Sequence, residues 1–170
     1  DLSIPANYAH LQTLIDTDNF ANYQIIEIFC ANKDWPQHNS KMWRPRSADG
    51  RWRWLLYDVD NSMGAGADAF DNTLRYAIGA ETNPDVVNFS FLFREMLKNT
   101  EFRNAFINRY ADLLNTRFTT NRAFAVLADI EAEMLPEMKR HMGRWNQRFY
   151  KWEDQLDTIR TFFQLRPGRA

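Results

Sequence analysis

Apolar side chains recur at helical spacing along most of this 170-residue chain; residues 32–60 interrupt this periodicity, and residues 61–69 after them are small and flexible. A stripe of this kind is typical of a helix that buries one face in a core. The pattern therefore predicts a mainly helical chain, with Pro136 kinking one of its helices. Three such stripes follow residue 100: Phe102, Phe106, Tyr110, Leu113 and Leu114; Phe124, Leu127, Met134, Leu135, Met138 and Met142; and Trp152, Leu156, Ile159 and Phe163.

Two further helices are predicted before residue 32. The first covers residues 6–15 and is entered by Pro5, a residue that suits the first helical turn. Asp16 or Asp18 can cap the second, over residues 18–31, because an aspartate side chain accepts hydrogen bonds from the free N–H groups of a helix start. The lone cysteine, Cys30, lies in an apolar run of this helix, so we expect a buried structural thiol.

The interruption reads as a loop followed by one β-hairpin. Pro36 cannot continue a helix, and two strand-like runs follow at residues 40–46 and 51–60. They are joined by Asp49-Gly50, a dipeptide that favours tight turns. If the second run is a strand throughout, alternation places Asp58 and Asp60 on the same face. The predicted fold is a single domain over residues 1–170, mainly α with one β-hairpin (α+β).

Charge and composition narrow the possible partners. The 21 basic and 22 acidic residues are interspersed and give a net charge of −1, whereas nucleic-acid binding usually needs a basic stripe. We therefore predict no nucleic-acid partner. No apolar run approaches the roughly 18 residues that a membrane span needs, so no membrane-spanning segment is predicted.

The loop and the hairpin together carry four polar residues in a suggestive order. Asp34 and Asn39 lie five residues apart in the loop, and the hairpin ends in Asp58-Val59-Asp60. Protein kinases use this order of parts: an acid that accepts the substrate proton, an asparagine that binds Mg²⁺ five residues later, and a further acid that binds the metal bridging the phosphates. Mg²⁺ prefers carboxylate and amide oxygens, which fits these residue types. A structural role at a turn or strand end is the alternative for each acid.

A series of short motifs runs through residues 16–64: Ile15-Asp16-Thr17-Asp18-Asn19-Phe20, Asn32-Lys33-Asp34-Trp35-Pro36, Asn39, Trp43-Arg44, Asp49-Gly50-Arg51-Trp52-Arg53-Trp54, Tyr57-Asp58-Val59-Asp60 and Gly64. This series resembles the CotH (spore coat protein H) kinase family. The family typically has an N-x-D-W-P-x-N-N stretch, then an aromatic-Arg pair, a D-G-x-W turn and a W-D-x-D segment. Here Tyr57 stands where tryptophan is usual, and His38 replaces the first of the two asparagines.

The resemblance implies a role for each of these polar residues. Asp34 would be the catalytic-loop acid, and Asn39 and Asp58 would bind Mg²⁺. Asp60 is expected as a second metal contact, because it shares the predicted strand face with Asp58. The implied activity is ATP- and Mg²⁺-dependent phosphorylation of a protein Ser or Thr, on spore-coat or surface proteins, with a secreted or cell-surface location.

Kinases of this kind clamp ATP with an N-lobe that carries a glycine-rich loop and a strand lysine. Only 33 residues precede Asp34; they read as helical and contain no lysine before Lys33. We therefore expect the chain to be the C-terminal catalytic lobe, a kinase C-lobe-like part of a two-lobed fold, with the N-lobe upstream and ATP bound only in the whole protein.

Two other functions stay open at this point. One is a non-catalytic, pseudokinase-like module that serves binding or assembly. The other is a metal-dependent phosphohydrolase that uses the Asp58 and Asp60 pair. Such sites usually need more carboxylates or histidines around two metals, and the histidines, His10, His38 and His141, show no metal-ligand spacing.

Overall fold

The computed structural model describes residues 1–79, 84–148 and 150–170, and it confirms a mainly helical α+β fold with one antiparallel hairpin. No helix within these ranges is long and apolar enough to cross a membrane. The helices are α1 (Pro5–Leu14), α2 (Thr17–Cys30), α3 (Thr73–Ala77), α4 (Pro84–Phe89), α5 (Phe91–Lys98), α6 (Thr100–Thr116), α7 (Thr120–Arg144) and α8 (Tyr150–Leu165); the strands are β1 (Lys41–Trp43) and β2 (Arg53–Leu55); and a short 3-10 helix covers Arg166–Gly168.

The core is built around α2. Asp16 caps this helix, and its side chain accepts a hydrogen bond from the Asn19 N–H at 3.0 Å, which confirms one of the two predicted caps. Helices α5 and α6 pack against the buried face of α2, where the Phe20 ring meets Phe93 edge-on and Phe102 at a tilt. The predicted stripe of α6 is also confirmed, since its three aromatic residues are buried and its two leucines pack against the core. Burial of large aromatic side chains is the main stabilising contribution here.

The hairpin is shorter than predicted. The strands pair over only three residues each, and Lys41 lies opposite Leu55. To extend β2 beyond Leu55, its next residues would have to pair with residues 40 and 39. At Asn39 the backbone turns into the left-handed region (φ 57°), so the partner strand is lost and β2 ends at Leu55. The prediction of one strand face for Asp58 and Asp60 is therefore wrong. Asp58 itself has a φ of 56° and lies outside the strand, before a turn at residues 60 and 61.

The hairpin is attached to the start of α2. The side chain of Asn19 donates to the Trp54 carbonyl at 3.2 Å and accepts from the Trp54 N–H at 2.6 Å, so it imitates a neighbouring strand. Phe20 packs edge-on against the Trp54 ring, with a centroid distance of 4.6 Å. Asp16 adds an ion pair with Arg53 at 2.9 Å. The stretch around Asp16 and Asn19 is thus a docking site for the hairpin as well as a helix start.

The predicted buried stripe on α7 is confirmed only in part, since Phe124, Leu127 and Met142 are half-buried. Met138 is buried, but Met134 and Leu135 are more than two-fifths exposed. The reason is that this face borders an open apolar groove of about 510 Å³, whose opposite wall is α8. Helix α7 continues through Pro136 to Arg144. On α8 the predicted stripe is better buried, with Leu156 at 7% exposure.

Candidate active site

The candidate site begins where α2 ends. A helix leaves its last four carbonyls without helical partners, and here all four are paired. The Asn32 N–H donates to the Glu27 carbonyl at 3.2 Å, and the Ala31 N–H donates to that of Ile28 at 3.2 Å. These two bonds, with Ala31 in the left-handed conformation (φ 57°, ψ 46°), form a Schellman motif that turns the chain sharply out of the helix.

The remaining carbonyls are held by distant parts of the chain. The Met63 N–H donates to the Cys30 carbonyl at 2.8 Å. Arg166, which is 1% exposed, donates through Nε to the Phe29 carbonyl at 2.9 Å and through Nη2 to that of Ile28 at 2.7 Å. Its guanidinium also reaches two carbonyls of the segment after the hairpin, those of Ala69 and Asp71. The end of α2 is therefore joined to both the chain terminus and the segment that follows Asp60.

Residues 32–39 form the loop that carries Asp34, here called the Asp34 loop. Its Trp35 is 1% exposed and packs edge-on against Tyr23 at a centroid distance of 6.3 Å, so it anchors the loop in the core. The Asn32 side chain accepts from the Asp34 N–H at 3.0 Å. From α3, the Tyr76 hydroxyl donates to the Lys33 carbonyl at 3.1 Å. His38 lies at the exposed edge. The loop backbone is thus held at several points while its polar edge faces outward.

The structure brings the predicted site residues together. The Asn61 side chain donates to Oδ1 of Asp34 at 2.9 Å, so the segment after the hairpin lies against the Asp34 carboxylate. The Asn39 side chain donates to the Asp58 carbonyl at 3.2 Å and closes the opposite side. The turn, rather than a strand face, places Asp58 beside Asp60. Asp34, Asn39, Asp58 and Asp60 therefore form one cluster at the open end of the hairpin.

Electrostatics confirm that the acids are close. A hydrogen bond with the Asp60 carboxyl, and after it the charge of that group, raises the pKa of Asp58 above its usual value; the charge of Asp34 acts in the same direction, while Lys41 partly opposes them. Such mutual repulsion is relieved when a cation binds. Within residues 1–79, 84–148 and 150–170, no three His, Cys, Asp or Glu side chains are grouped as a metal site by themselves. A cation here would therefore be held by the Asp58 and Asp60 carboxylates together with an amide oxygen such as that of Asn39.

Sequence reasoning missed Asn61. Its backbone carbonyl accepts from the Lys33 N–H at 3.4 Å while its side chain binds Asp34, so it contacts the Asp34 loop twice. Gly66 makes room for it, since a Cβ at that position would lie 2.0 Å from Asn61 Oδ1. The signal in the sequence was an amide residue immediately after Asp58-Val59-Asp60, within a segment read only as small and flexible.

Comparison with known proteins adds the family. The family model described as CotH kinase protein matches residues 3–169, which extends well beyond the stretch 16–64 that carries the motifs. Neither the curated proteins nor the solved structures contain a match to this chain. The matched range covers nearly the whole chain and includes every member of the acidic cluster. The chain belongs to the CotH kinase family.

Proposed function

We propose that this chain carries the catalytic acid and metal ligands of an ATP- and Mg²⁺-dependent protein Ser/Thr kinase. The observation that carries the proposal is the contact between Asn61 and Asp34, which sets the acid of the loop against the segment holding Asp58 and Asp60. Kinase chemistry needs these two parts within one site, because proton acceptance and charge neutralisation act on the same phosphoryl group. Membership of the CotH kinase family supports the same reading.

Asp34 is proposed as the group that orients the substrate hydroxyl and accepts its proton. Its Oδ1 is engaged by Asn61, and its backbone N–H is bound by Asn32, so both the carboxylate and the main chain are positioned. The second oxygen, Oδ2, is then the one that serves a hydroxyl. A carboxylate held in this way is suited to a proton that is transferred late in the reaction.

The donor set fits Mg²⁺. Asp58 and Asp60 supply hard carboxylate oxygens, Asn39 supplies an amide oxygen, and the repulsion that raises the pKa of Asp58 is the kind that a divalent cation removes. When bound, Mg²⁺ neutralises the charge on the phosphate oxygens. Asp58 and Asp60 are exposed, so they remain accessible to a metal carried in with a nucleotide. A Mg²⁺ ion at this site would be bound jointly by protein oxygens and by the phosphates of the nucleotide.

We further propose that residues 1–170 correspond to the C-lobe of a two-lobed kinase fold. Before Asp34 the chain forms two helices, and neither resembles the hairpin and strand lysine that clamp a triphosphate. The clamp would then be supplied by another part of the protein. The proposed substrates are proteins of a spore coat or cell surface, on the family resemblance alone.

The test is phosphoryl transfer by the natural protein that contains this chain. Incubation with Mg²⁺ and labelled ATP, read as autophosphorylation and as transfer to Ser/Thr peptides, should give activity that Asp34→Asn and Asp58→Asn each reduce by about 100-fold or more. Asp49→Asn is the matched control, because Asp49 is an exposed acid at the far end of the hairpin. Activity of Asp58→Asn within twofold of the wild-type protein would refute the metal assignment.

A protein that binds no nucleotide and transfers no phosphate would instead support the non-catalytic, pseudokinase-like module. The same assay with Asp34→Asn separates the two cases. A binding module loses nothing measurable in partner affinity when only the proton acceptor is neutralised, whereas a kinase loses turnover.

A further inference from the structure

A carboxylic acid lies buried beneath the Asp34 loop without a cationic partner in contact. Glu27 and Asn32 are both 0% exposed, and Nδ2 of Asn32 donates to Oε2 of Glu27 at 2.9 Å. Among the described residues no hydrogen bond to Oε1 of Glu27 has regular geometry, although the Tyr23 hydroxyl acts on this carboxyl and lowers its pKa. A buried acid costs free energy that an apolar side chain of similar size would not, so the core gains nothing in stability from an acid at this position.

The amide of Asn32 connects this acid to Asp34. Its Nδ2 donates to Glu27, and its Oδ1 accepts from the Asp34 N–H at 3.0 Å. Glu27 offers an acceptor and the Asp34 N–H is a donor, so only one orientation of the amide satisfies both bonds. Without the Glu27 oxygen, the Asn32 side-chain amide can flip and exchange the positions of its oxygen and its NH₂ group. In half of its orientations the Asp34 N–H then faces the NH₂ group, which is also a donor.

The main chain reinforces the connection. The Glu27 carbonyl accepts from the Asn32 N–H at 3.2 Å, so Glu27 holds Asn32 by both its backbone and its side chain. At the other end, Asp34 accepts from Asn61. A continuous series of hydrogen bonds thus leads from the buried end of α2, through Asn32, to the proton-accepting carboxylate and on to the metal-binding segment.

We propose that Glu27 and Asn32 are positioning residues for Asp34, and that their buried hydrogen bonds fix the backbone of the Asp34 loop in its active geometry. The proposal deepens the kinase function and rests on it for its kinetic consequence only. Positioning errors of about 1 Å cost on the order of 100-fold in rate, so a pair that never touches substrate still controls turnover. The hydrogen bonds themselves are testable without any activity.

The first measurement is amide hydrogen exchange of the chain at the Asp34 N–H, followed residue by residue. Asn32→Ala should accelerate this exchange by about 10-fold, the loss expected for one buried hydrogen bond. Glu27→Leu should also accelerate exchange of the Asp34 N–H, because the Asn32 amide is no longer held in one orientation. Glu27→Gln keeps an acceptor oxygen and should leave the exchange rate within about threefold of wild type. If Asn32→Ala unfolds the chain, the comparison of Glu27→Leu with Glu27→Gln replaces it, because only Glu27→Leu removes the acceptor that orients the Asn32 amide.

Gln24→Met is the matched control. Gln24 lies one turn earlier on the same helix, is also buried, and likewise has an unpaired side-chain oxygen, but it has no hydrogen bond to the Asp34 loop. Its substitution should leave exchange at Asp34 unchanged. Exchange within twofold of wild type in Asn32→Ala, or an equal acceleration in Gln24→Met, would overturn the proposal.

The second measurement compares the effects of these substitutions on kcat and on KM for ATP in the natural protein. Asn32→Ala and Glu27→Leu should lower kcat by about 10- to 100-fold while KM for ATP stays within threefold, because the proton acceptor is displaced and the metal ligands are not. Glu27→Gln should restore most of kcat. If the wild-type protein transfers no phosphate, the kinase function fails, and the exchange measurement still decides whether the pair positions Asp34.

Discussion

Asn61 donates a 2.9 Å hydrogen bond to the Asp34 carboxylate, although the two residues lie on opposite sides of the hairpin in sequence. This single contact joins the loop that leaves α2 to the segment that follows Asp60. It also assigns different tasks to the two carboxylate oxygens of Asp34, since Oδ1 is engaged by the protein. The orientation of the acid therefore depends on a residue outside its own loop.

Removing that contact should impair turnover more than binding. In the natural protein we expect Asn61→Ala to lower kcat by about 10-fold or more with KM for ATP nearly unchanged, because Asp34 loses its orienting donor. Steady-state kinetics checks this. Asn104→Ala, at an exposed position on α6, is the control and should behave as wild type. An unchanged kcat in Asn61→Ala would show that the contact has no catalytic consequence.

Glu27 should make the stability of the fold depend on pH. Burial raises its pKa from 4.5 to about 7, whereas the unfolded chain keeps the lower value. Below about pH 4.5 both states are protonated and the burial carries no charge penalty. As the pH rises to 7 the unfolded state loses its proton first, so stability falls over this window and then levels off.

The Glu27→Gln variant isolates this effect, because it cannot ionise. Its free energy of unfolding relative to wild type should rise by about 3 kcal/mol between pH 4.5 and pH 8, as the shifted pKa requires. Urea unfolding at the two pH values measures the difference, and contributions from other groups cancel between the two proteins. A constant difference across this range would mean that Glu27 has an ordinary pKa.

Arg166 should be essential for folding stability. Its guanidinium donates to carbonyls of α2 and of the segment after the hairpin, and its substitution by methionine would leave these buried acceptors unpaired. We expect Arg166→Met to reduce the free energy of unfolding by about 3–5 kcal/mol. Thermal or urea unfolding measures the loss. Arg169→Met, three residues later on the exposed surface, should cost less than about 1 kcal/mol.

The chain of residues 1–170 alone should not bind ATP tightly. In the proposed function, Asp34, Asn39 and Asp58 would provide one side of a nucleotide site, and a triphosphate held from one side loses much of its binding free energy. Calorimetry with Mg²⁺-ATP at ~100 μM should detect no heat of binding. The dissociation constant is then larger than ~100 μM, which corresponds to a binding free energy weaker than about −5.5 kcal/mol. Tight binding would place the nucleotide clamp within these residues.

The sequence was sufficient for the elements with a local signal. The Asp16 cap, the α6 stripe and the Asp49-Gly50 hairpin all follow from side chains within a few positions of one another. The structure confirms the cap and the stripe, and it confirms the hairpin with shorter strands. The four polar residues of the site were also found from their order along the chain. Their roles in catalysis and metal binding stay predictions.

Tertiary structure decided what depends on distant partners. Asp58 lies beside Asp60 because a turn follows the loss of the β1 partner at Asn39, whereas the alternation rule alone predicted a strand face. The α7 stripe is apolar by sequence, yet its burial depends on how much surface α8 covers.

The contacts of Asn61 and Arg166 could not be anticipated for the same reason. A lone amide or guanidinium has no periodicity, and its partners are 27 residues away for Asn61 and about 100 or more for Arg166. Spacing along the chain determined which residues could form a helix or a turn, and which polar residues follow the order of parts found in kinases. Packing determined which of them meet, because buried donors and acceptors must be paired wherever the fold brings them.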